Sequence, residues 1–102
     1  MPGGIKEAKP ADDHIIDIVS QCSAQLNAAA GTEEATLEPL SYATQTVAGT
    51  NYFVKLKATS KTGEISYLHA RIFQDLPHNN SALTVHSVQK RQSVSDPLEY
   101  FE

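Results

Sequence analysis

A single stretch of helical periodicity, followed only by strand-like alternation, limits the folds open to this chain. Apolar residues recur at helical spacing at Ile15, Ile18, Val19, Cys22, Leu26 and Ala29. Asp12 is a suitable N-cap and Gly31 a suitable residue to end the helix. The pattern predicts one amphipathic helix over residues 13–30, whose polar face, including Asn27, is exposed. Its apolar stripe must then be covered by another element.

Strand-like segments follow the helix and offer that cover. Alternating residues predict strands near residues 40–45, 52–59, 64–75 and 82–91, with Phe53 on a face that meets water. The order predicts an α+β fold, one helix on a twisted antiparallel sheet of about four to five strands. We expect residues 1–102 to form a single domain, because the chain is long enough for one domain but not for two. Residues 1–11 are expected to form a flexible, irregular N-terminal arm. The aromatic end at Tyr100 and Phe101 predicts a tail that packs down.

Three turns connect these strands, at residues 45–49 (QTVAG), 60–63 (SKTG) and 76–80 (LPHNN). Alternate turns of a meander lie at the same end of the sheet, so we expect the first and third to be neighbours. The first and third turns also have plain structural explanations. Residues 45–49 could form a bulged hairpin, and Leu76-Pro77 could cap a strand. Together, however, they bring Thr46, Val47, Leu76 and Pro77 to one edge, which is typical of a binding surface.

Composition excludes several classes of partner. A net charge of −4 and a pI of about 5.5 argue against a nucleic-acid partner or an anionic membrane surface. No run of about 18 apolar residues and no apolar signal core occurs. The single cysteine, Cys22, excludes an intrachain disulfide and fits a reducing compartment. We therefore expect a cytoplasmic protein, although export without a signal peptide remains an alternative.

An enzyme would need a nucleophile and a base. The candidates are Cys22 with His14, His69, His78 or His86. Because Cys22 lies mid-helix on the apolar stripe, we expect a buried, inert thiol. The histidines lack metal-binding spacing, and no cofactor or phosphate-binding motif is present. The chain is predicted not to be an enzyme and to need no metal or cofactor. A strand-swapping assembly module, opened at the first hairpin, is the structural alternative.

The same residues resemble a known family. QTVAG matches the Gln-x-Val-x-Gly signature of the cystatins, and residues 50–55 (TNYFVK) look like their following strand. The N-terminal Pro2-Gly3-Gly4, the Leu76-Pro77-His78 loop and residues 98–101 (LEYF) resemble the stefins, the single-domain intracellular branch. The resemblance covers nearly the whole chain. Cys22 and the alanines at 28–30 depart from it and bear only on core packing.

The resemblance implies reversible, tight, non-covalent inhibition of papain-like (cathepsin-type) cysteine proteases. In the family, a glycine arm and two hairpin loops enter the active-site cleft as a wedge. Carried over to this chain, the protease-binding residues are Gly3, Gly4, Gln45, Thr46, Val47, Ala48, Gly49, Leu76, Pro77 and His78. Gln45 is expected to shape the loop base, and Gly49 to adopt a positive φ. The resemblance also implies a monomer that can form a domain-swapped dimer. It leaves the physiological target open.

Overall fold

One helix packs on a five-stranded antiparallel sheet in this computed structural model, which describes residues 7–32, 34–91, 93–95, 97–99 and 101. The strands lie in the order β1-β2-β3-β4-β5, each antiparallel to its neighbours. In chain order the elements are β1 (Lys9–Pro10), α1 (Asp13–Ala30), β2 (Thr36–Val47), β3 (Gly49–Thr59), β4 (Ile65–Gln74) and β5 (Leu83–Arg91). The predicted α+β fold is confirmed. No helix in these ranges is long and apolar enough to cross a bilayer.

The helix has the predicted limits because its caps are local. The Asp12 carboxylate accepts the N–H of Ile15 at 3.1 Å, and Gly31, at φ 72°, donates its N–H to the carbonyl of Ala28. The predicted apolar stripe is buried except at Ala29, which is exposed. Ala30 is buried in the core in its place. It meets the apolar face of the sheet, so each element covers the other.

Asn27 was predicted to be exposed, and that prediction is wrong. Its side chain is only 8% exposed. The amide oxygen accepts the hydroxyl of Thr32 at 2.6 Å and the N–H of Ala35 at 3.1 Å. A polar residue can be buried here because these bonds replace water, and they tie the end of α1 to the approach to β2.

The second face of the sheet is also partly covered, contrary to the prediction that Phe53 faces water. Phe53 is fully buried, and the ring of Phe101 packs edge-on against it with centroids 5.7 Å apart. The Arg71 guanidinium donates to the carbonyl of Phe101, and the Lys55 ammonium to that of Val94. The tail therefore packs down at Phe101, as predicted. Tyr100 lies outside the described residues.

Strand β1 was not predicted, since residues 1–11 were assigned to an irregular arm. Lys9 and Pro10 pair with Tyr42 and Ser41 of β2, so that assignment is wrong for these two residues. The N–H of Ala11 continues the contact by donating to the carbonyl of Leu40 at 3.1 Å. Two residues are too few to show alternation, and backbone pairing does not depend on side-chain pattern.

Candidate functional site

The first and third of the predicted turns, residues 45–49 and 76–80, lie together at one end of the sheet, and we call them the first and second loops. Thr50, at the start of β3, pairs with Gln74, at the end of β4. The intervening turn, residues 60–63, closes the opposite end, where the N–H of Gly63 donates to the carbonyl of Ser60 at 2.9 Å. The predicted neighbourhood of the two loops is confirmed.

The first loop is tighter than the motif suggested. Strand β2 continues to Val47 and β3 begins at Gly49, which pairs with Val47, so that only Ala48 lies outside the ladder. Gln45 is 3% exposed, and its side-chain oxygen accepts the amide of Asn51 at 2.9 Å. Gln45 therefore shapes the base of the loop, as expected, and leaves little surface for a partner.

Gly49 is required by both backbone and space. Its φ is +118°, a conformation that residues with a β-carbon rarely adopt. A β-carbon here would lie 2.5 Å from the carbonyl oxygen of Gln74 and 2.8 Å from two ring carbons of Phe73. The glycine thus lets the tip of the first hairpin rest directly on the end of β4.

The second loop is held by its own hydrogen bonds. Residues Pro77–Asn79 form a 3-10 turn, in which the carbonyl of Leu76 accepts the N–H of Asn79 at 2.9 Å. The carboxylate of Asp75 accepts the N–H of Leu76 at 2.7 Å, and Asn80 ends the turn at φ 63°. Leu76 is half-buried. A loop ordered in this way has little entropy left to lose on binding.

The arm approaches the same end of the sheet. Because β1 runs antiparallel to β2, the chain that enters β1 comes from the side where Val47 lies. The Lys9 ammonium sits 4.9 Å from the centre of the Tyr42 ring, and its contact with that side chain raises the pKa of Lys9. Gly3 and Gly4 lie outside the described residues.

The exposed residues of both loops include no lysine, arginine, aspartate or glutamate. We call five of them, Thr46, Val47, Ala48, Pro77 and His78, the tip surface. Val47 is 43% exposed, much like Ile16, Ile65 and Val94, so it is its grouping with the other tip residues, and not its exposure alone, that indicates a binding surface. An open cavity of about 650 Å³ lies elsewhere, beside Asn27, Thr32 and Lys61. The tip surface is a protrusion, and its chemistry suits insertion into another protein better than capture of a small molecule.

The thiol catalyst considered above lacks an accessible nucleophile. Cys22 is 1% exposed, and burial raises the pKa of its thiol, which opposes formation of the reactive thiolate. No group of three or more histidine, cysteine and acidic side chains suited to a metal occurs within the described ranges. The prediction of a buried thiol is confirmed.

One polar network behind the tip surface has no signal in the sequence. The Nε2 of His14 lies 2.9 Å from the hydroxyl of Tyr52, and that hydroxyl donates to the side-chain oxygen of Gln74 at 3.0 Å. Burial raises the pKa of Tyr52, so this hydroxyl remains a proton donor. The three residues are far apart in the chain, and no local pattern links them. We refer to them as the His14 network.

Comparison with known proteins agrees with this geometry. A model of the Cystatin domain matches residues 3–95. Cystatin-A of Homo sapiens is 38% identical over 101 residues, and Cystatin-A of Felis catus is 35% identical over the same length. Cystatin-B of Homo sapiens is 34% identical over 101 residues. Each alignment covers 99% of both chains. The chain therefore belongs to the cystatin family, in its stefin branch.

Proposed function

We propose that this protein is a reversible, tight-binding, non-covalent inhibitor of papain-like (cathepsin-type) cysteine proteases. Membership of the cystatin family supports a role as a cysteine protease inhibitor rather than an enzyme. The observation that carries the specific mechanism is the tip surface, in which two ordered loops without acidic residues, lysine or arginine at their exposed positions project side by side from one end of the sheet. The inhibitor acts as one domain spanning residues 1–102, and as a monomer.

The shape of the tip surface suits occlusion of a cleft. The first loop narrows to Ala48, with Thr46 and Val47 exposed behind it. Branched side chains lose little rotamer freedom on binding. Pro77 is fixed at the start of its turn and widens the same surface. A typical interface buries about 800 Å² per partner. Loops that need no further ordering convert more of that burial into affinity.

The remaining predicted contacts act around this surface. Gln45 and Gly49 are buried and hold the first loop in shape. Leu76 and His78 border the second loop, where His78 can hydrogen-bond at the rim. Gly3 and Gly4 are proposed to extend along the cleft, since an arm without side chains allows close backbone approach. No step requires a covalent bond between inhibitor and protease.

We also propose a cytoplasmic location. Two observations support it: the relationship to the stefins, and the free thiol of Cys22, which fits a reducing compartment. Fractionation of cells that make the protein tests this, with recovery in the soluble cytosolic fraction expected. Recovery mainly from a membrane or secreted fraction would contradict it.

The function is tested by titrating an active-site-calibrated papain-like protease with the purified monomer. We expect tight inhibition that dilution reverses, with intact inhibitor recovered by mass spectrometry. Cleavage within residues 45–49 in step with recovery of activity would contradict occlusion. Size-exclusion chromatography separates monomer from any swapped dimer, in which the first loop would be buried. An active monomer and a silent dimer would fit the proposal, whereas a stable swapped dimer whose monomer also fails to inhibit would favour the assembly alternative.

A matched pair of variants localises the surface. Val47→Asp removes an aliphatic contact worth about 2 kcal/mol and adds a charge to be desolvated, so Ki should rise by at least about 30-fold. Ile65→Asp changes an aliphatic residue of similar exposure, 54% against 43%, at the opposite end of the sheet. It should leave Ki unchanged. Equal effects of the two variants would remove the tip surface from the mechanism. Gly4→Glu should also weaken inhibition if the arm contributes.

A further inference from the structure

We propose that His14 is a positioning residue, which sets the relation of the two loops through Tyr52 and Gln74. The inference rests on the proposed inhibition, because it concerns how the same surface is held for binding. It adds a helix residue, remote from the tip surface, to the residues that determine affinity. None of the three side chains belongs to the tip surface itself.

Hydrogen counting gives the His14 network a direction. A tyrosine hydroxyl has one proton, and the Tyr52 hydroxyl donates it to the side-chain oxygen of Gln74 at 3.0 Å. The contact of 2.9 Å to His14 must then be a bond that Tyr52 accepts, so Nε2 of His14 carries a proton. The neutral form of the imidazole is therefore the Nε2–H tautomer.

Gln74 occupies the junction of the two loops. Its backbone oxygen lies where a β-carbon on Gly49 would intrude, so it limits the first loop. The next residue, Asp75, accepts the N–H of Leu76 and starts the second loop. The Gln74 side chain, in turn, is held by Tyr52. A shift of Gln74 would thus move both loops.

The helix supplies the fixed end of the network. His14 lies in the first turn of α1, directly before Ile15, which is fully buried in the core. Asp12 caps that turn and also accepts the hydroxyl of Tyr42 at 2.8 Å. A bond from a turn anchored in this way holds the Tyr52 hydroxyl at a fixed place, and through it the side chain of Gln74.

Five variants test the proposal. Tyr52→Phe, Gln74→Leu and His14→Leu each break the network with little change of shape, and each should raise Ki about 3- to 10-fold. Gln74→Glu keeps an acceptor and His14→Gln keeps a donor, so both should inhibit within about twofold of the parent. Tyr52→Phe combined with Gln74→Leu should be no worse than the weaker inhibitor of the two, because both break the same bond.

Unfolding by urea, measured on each variant, separates positioning from loss of fold. His14 is exposed, so His14→Leu is expected to fold normally. Parent-like inhibition by His14→Leu and Gln74→Leu would overturn the proposal and leave the proposed function standing. Equal weakening by His14→Gln and His14→Leu would also overturn it, since only packing would then matter. A parent that does not inhibit at all would refute the proposed function, and positioning for inhibition with it.

Imidazole ¹⁵N spectra give a readout that does not depend on any protease. In its neutral form, His14 of the parent should show a protonated Nε2 and an unprotonated Nδ1. Because a free neutral histidine already favours the Nε2–H tautomer, the informative quantity is the minor Nδ1–H population, which should be larger in Tyr52→Phe than in the parent; equal populations in the two would overturn the network. A dominant Nδ1–H tautomer in the parent would overturn the network.

Discussion

Replacement of Gly49 by alanine should damage both stability and inhibition, because the position is restricted in two ways. Its φ of +118° lies in a region that residues with a β-carbon rarely adopt. The added carbon would also meet the backbone oxygen of Gln74 at 2.5 Å and the Phe73 ring at 2.8 Å. The first contact cannot be relieved by rotating a side chain, so β3 or β4 must move.

The size of the effect follows from these two terms. A residue in a disallowed backbone conformation costs about 1–3 kcal/mol. Forcing an extra carbon into packed surroundings costs about 1–3 kcal/mol more. The sum, about 2–6 kcal/mol, is a large part of the roughly 5–15 kcal/mol that stabilises a typical domain. If the hairpin moves to relieve the clash, Val47 moves with it. A resulting loss of about 1.4 kcal/mol of binding free energy would raise Ki about tenfold.

Gly63 provides a matched control. Its φ is +88°, but nothing lies within 4 Å of a β-carbon built there. Gly63→Ala should therefore show the backbone cost alone, and it should leave Ki unchanged because its turn lies at the other end of the sheet. Urea unfolding gives the stability of each variant, and protease titration gives Ki. If Gly49→Ala loses no more stability than Gly63→Ala and inhibits as well as the parent, the argument from crowding at Gln74 is refuted.

Three further outcomes follow from buried and charged groups. Hydrogen bonds from Tyr42 and the Ile15 N–H hold the pKa of Asp12 below its usual 3.8. Its ionised form therefore stabilises the fold above about pH 4, and this contribution is lost as pH falls through the folded-state pKa. Urea unfolding between pH 3 and 7 should show that the free energy of unfolding depends less on pH in Asp12→Asn than in the parent. Alkylation of Cys22 should require unfolding, so its rate should rise with urea in step with the unfolded fraction, and fast reaction of the native protein would contradict its burial. Phe101→Ala should lower the free energy of unfolding by about 3 kcal/mol while Ki of the folded protein stays at the parent value; a parent-like midpoint would mean that the tail contact is not formed in solution.

Features determined by neighbouring residues were predictable from the sequence. The helix limits follow from the spacing of its apolar stripe and from Asp12 and Gly31, which act within one turn of their own positions. The common end of the two loops follows from strand order alone, since every strand after the helix is antiparallel to the one before it. Neither inference needed knowledge of which distant residues meet.

Features that depend on distant residues were missed. The alternation of its strand predicts that Phe53 faces solvent. It is buried because Phe101, nearly fifty residues later in the chain, packs against it. Helical spacing places Asn27 on the polar face of α1. It is nevertheless buried, because Ala35 and Thr32 supply hydrogen-bond partners for its side-chain amide. In both cases the local pattern was read correctly, and a contact outside its range decided the burial.

The tip of the first hairpin combines both kinds of information. A glycine two residues after Val47 indicates a reversal, and the positive φ of Gly49 was predictable from the residue type. The reason that no β-carbon fits is not local, because the obstacle is the carbonyl of Gln74 on the neighbouring strand. Gln74 is in turn held by Tyr52 and His14. A short motif can therefore identify which loop is exposed, while the affinity of that loop depends on residues that the motif does not contain. Substitutions behind the tip surface are the ones to compare when inhibitors with the same motif differ in strength.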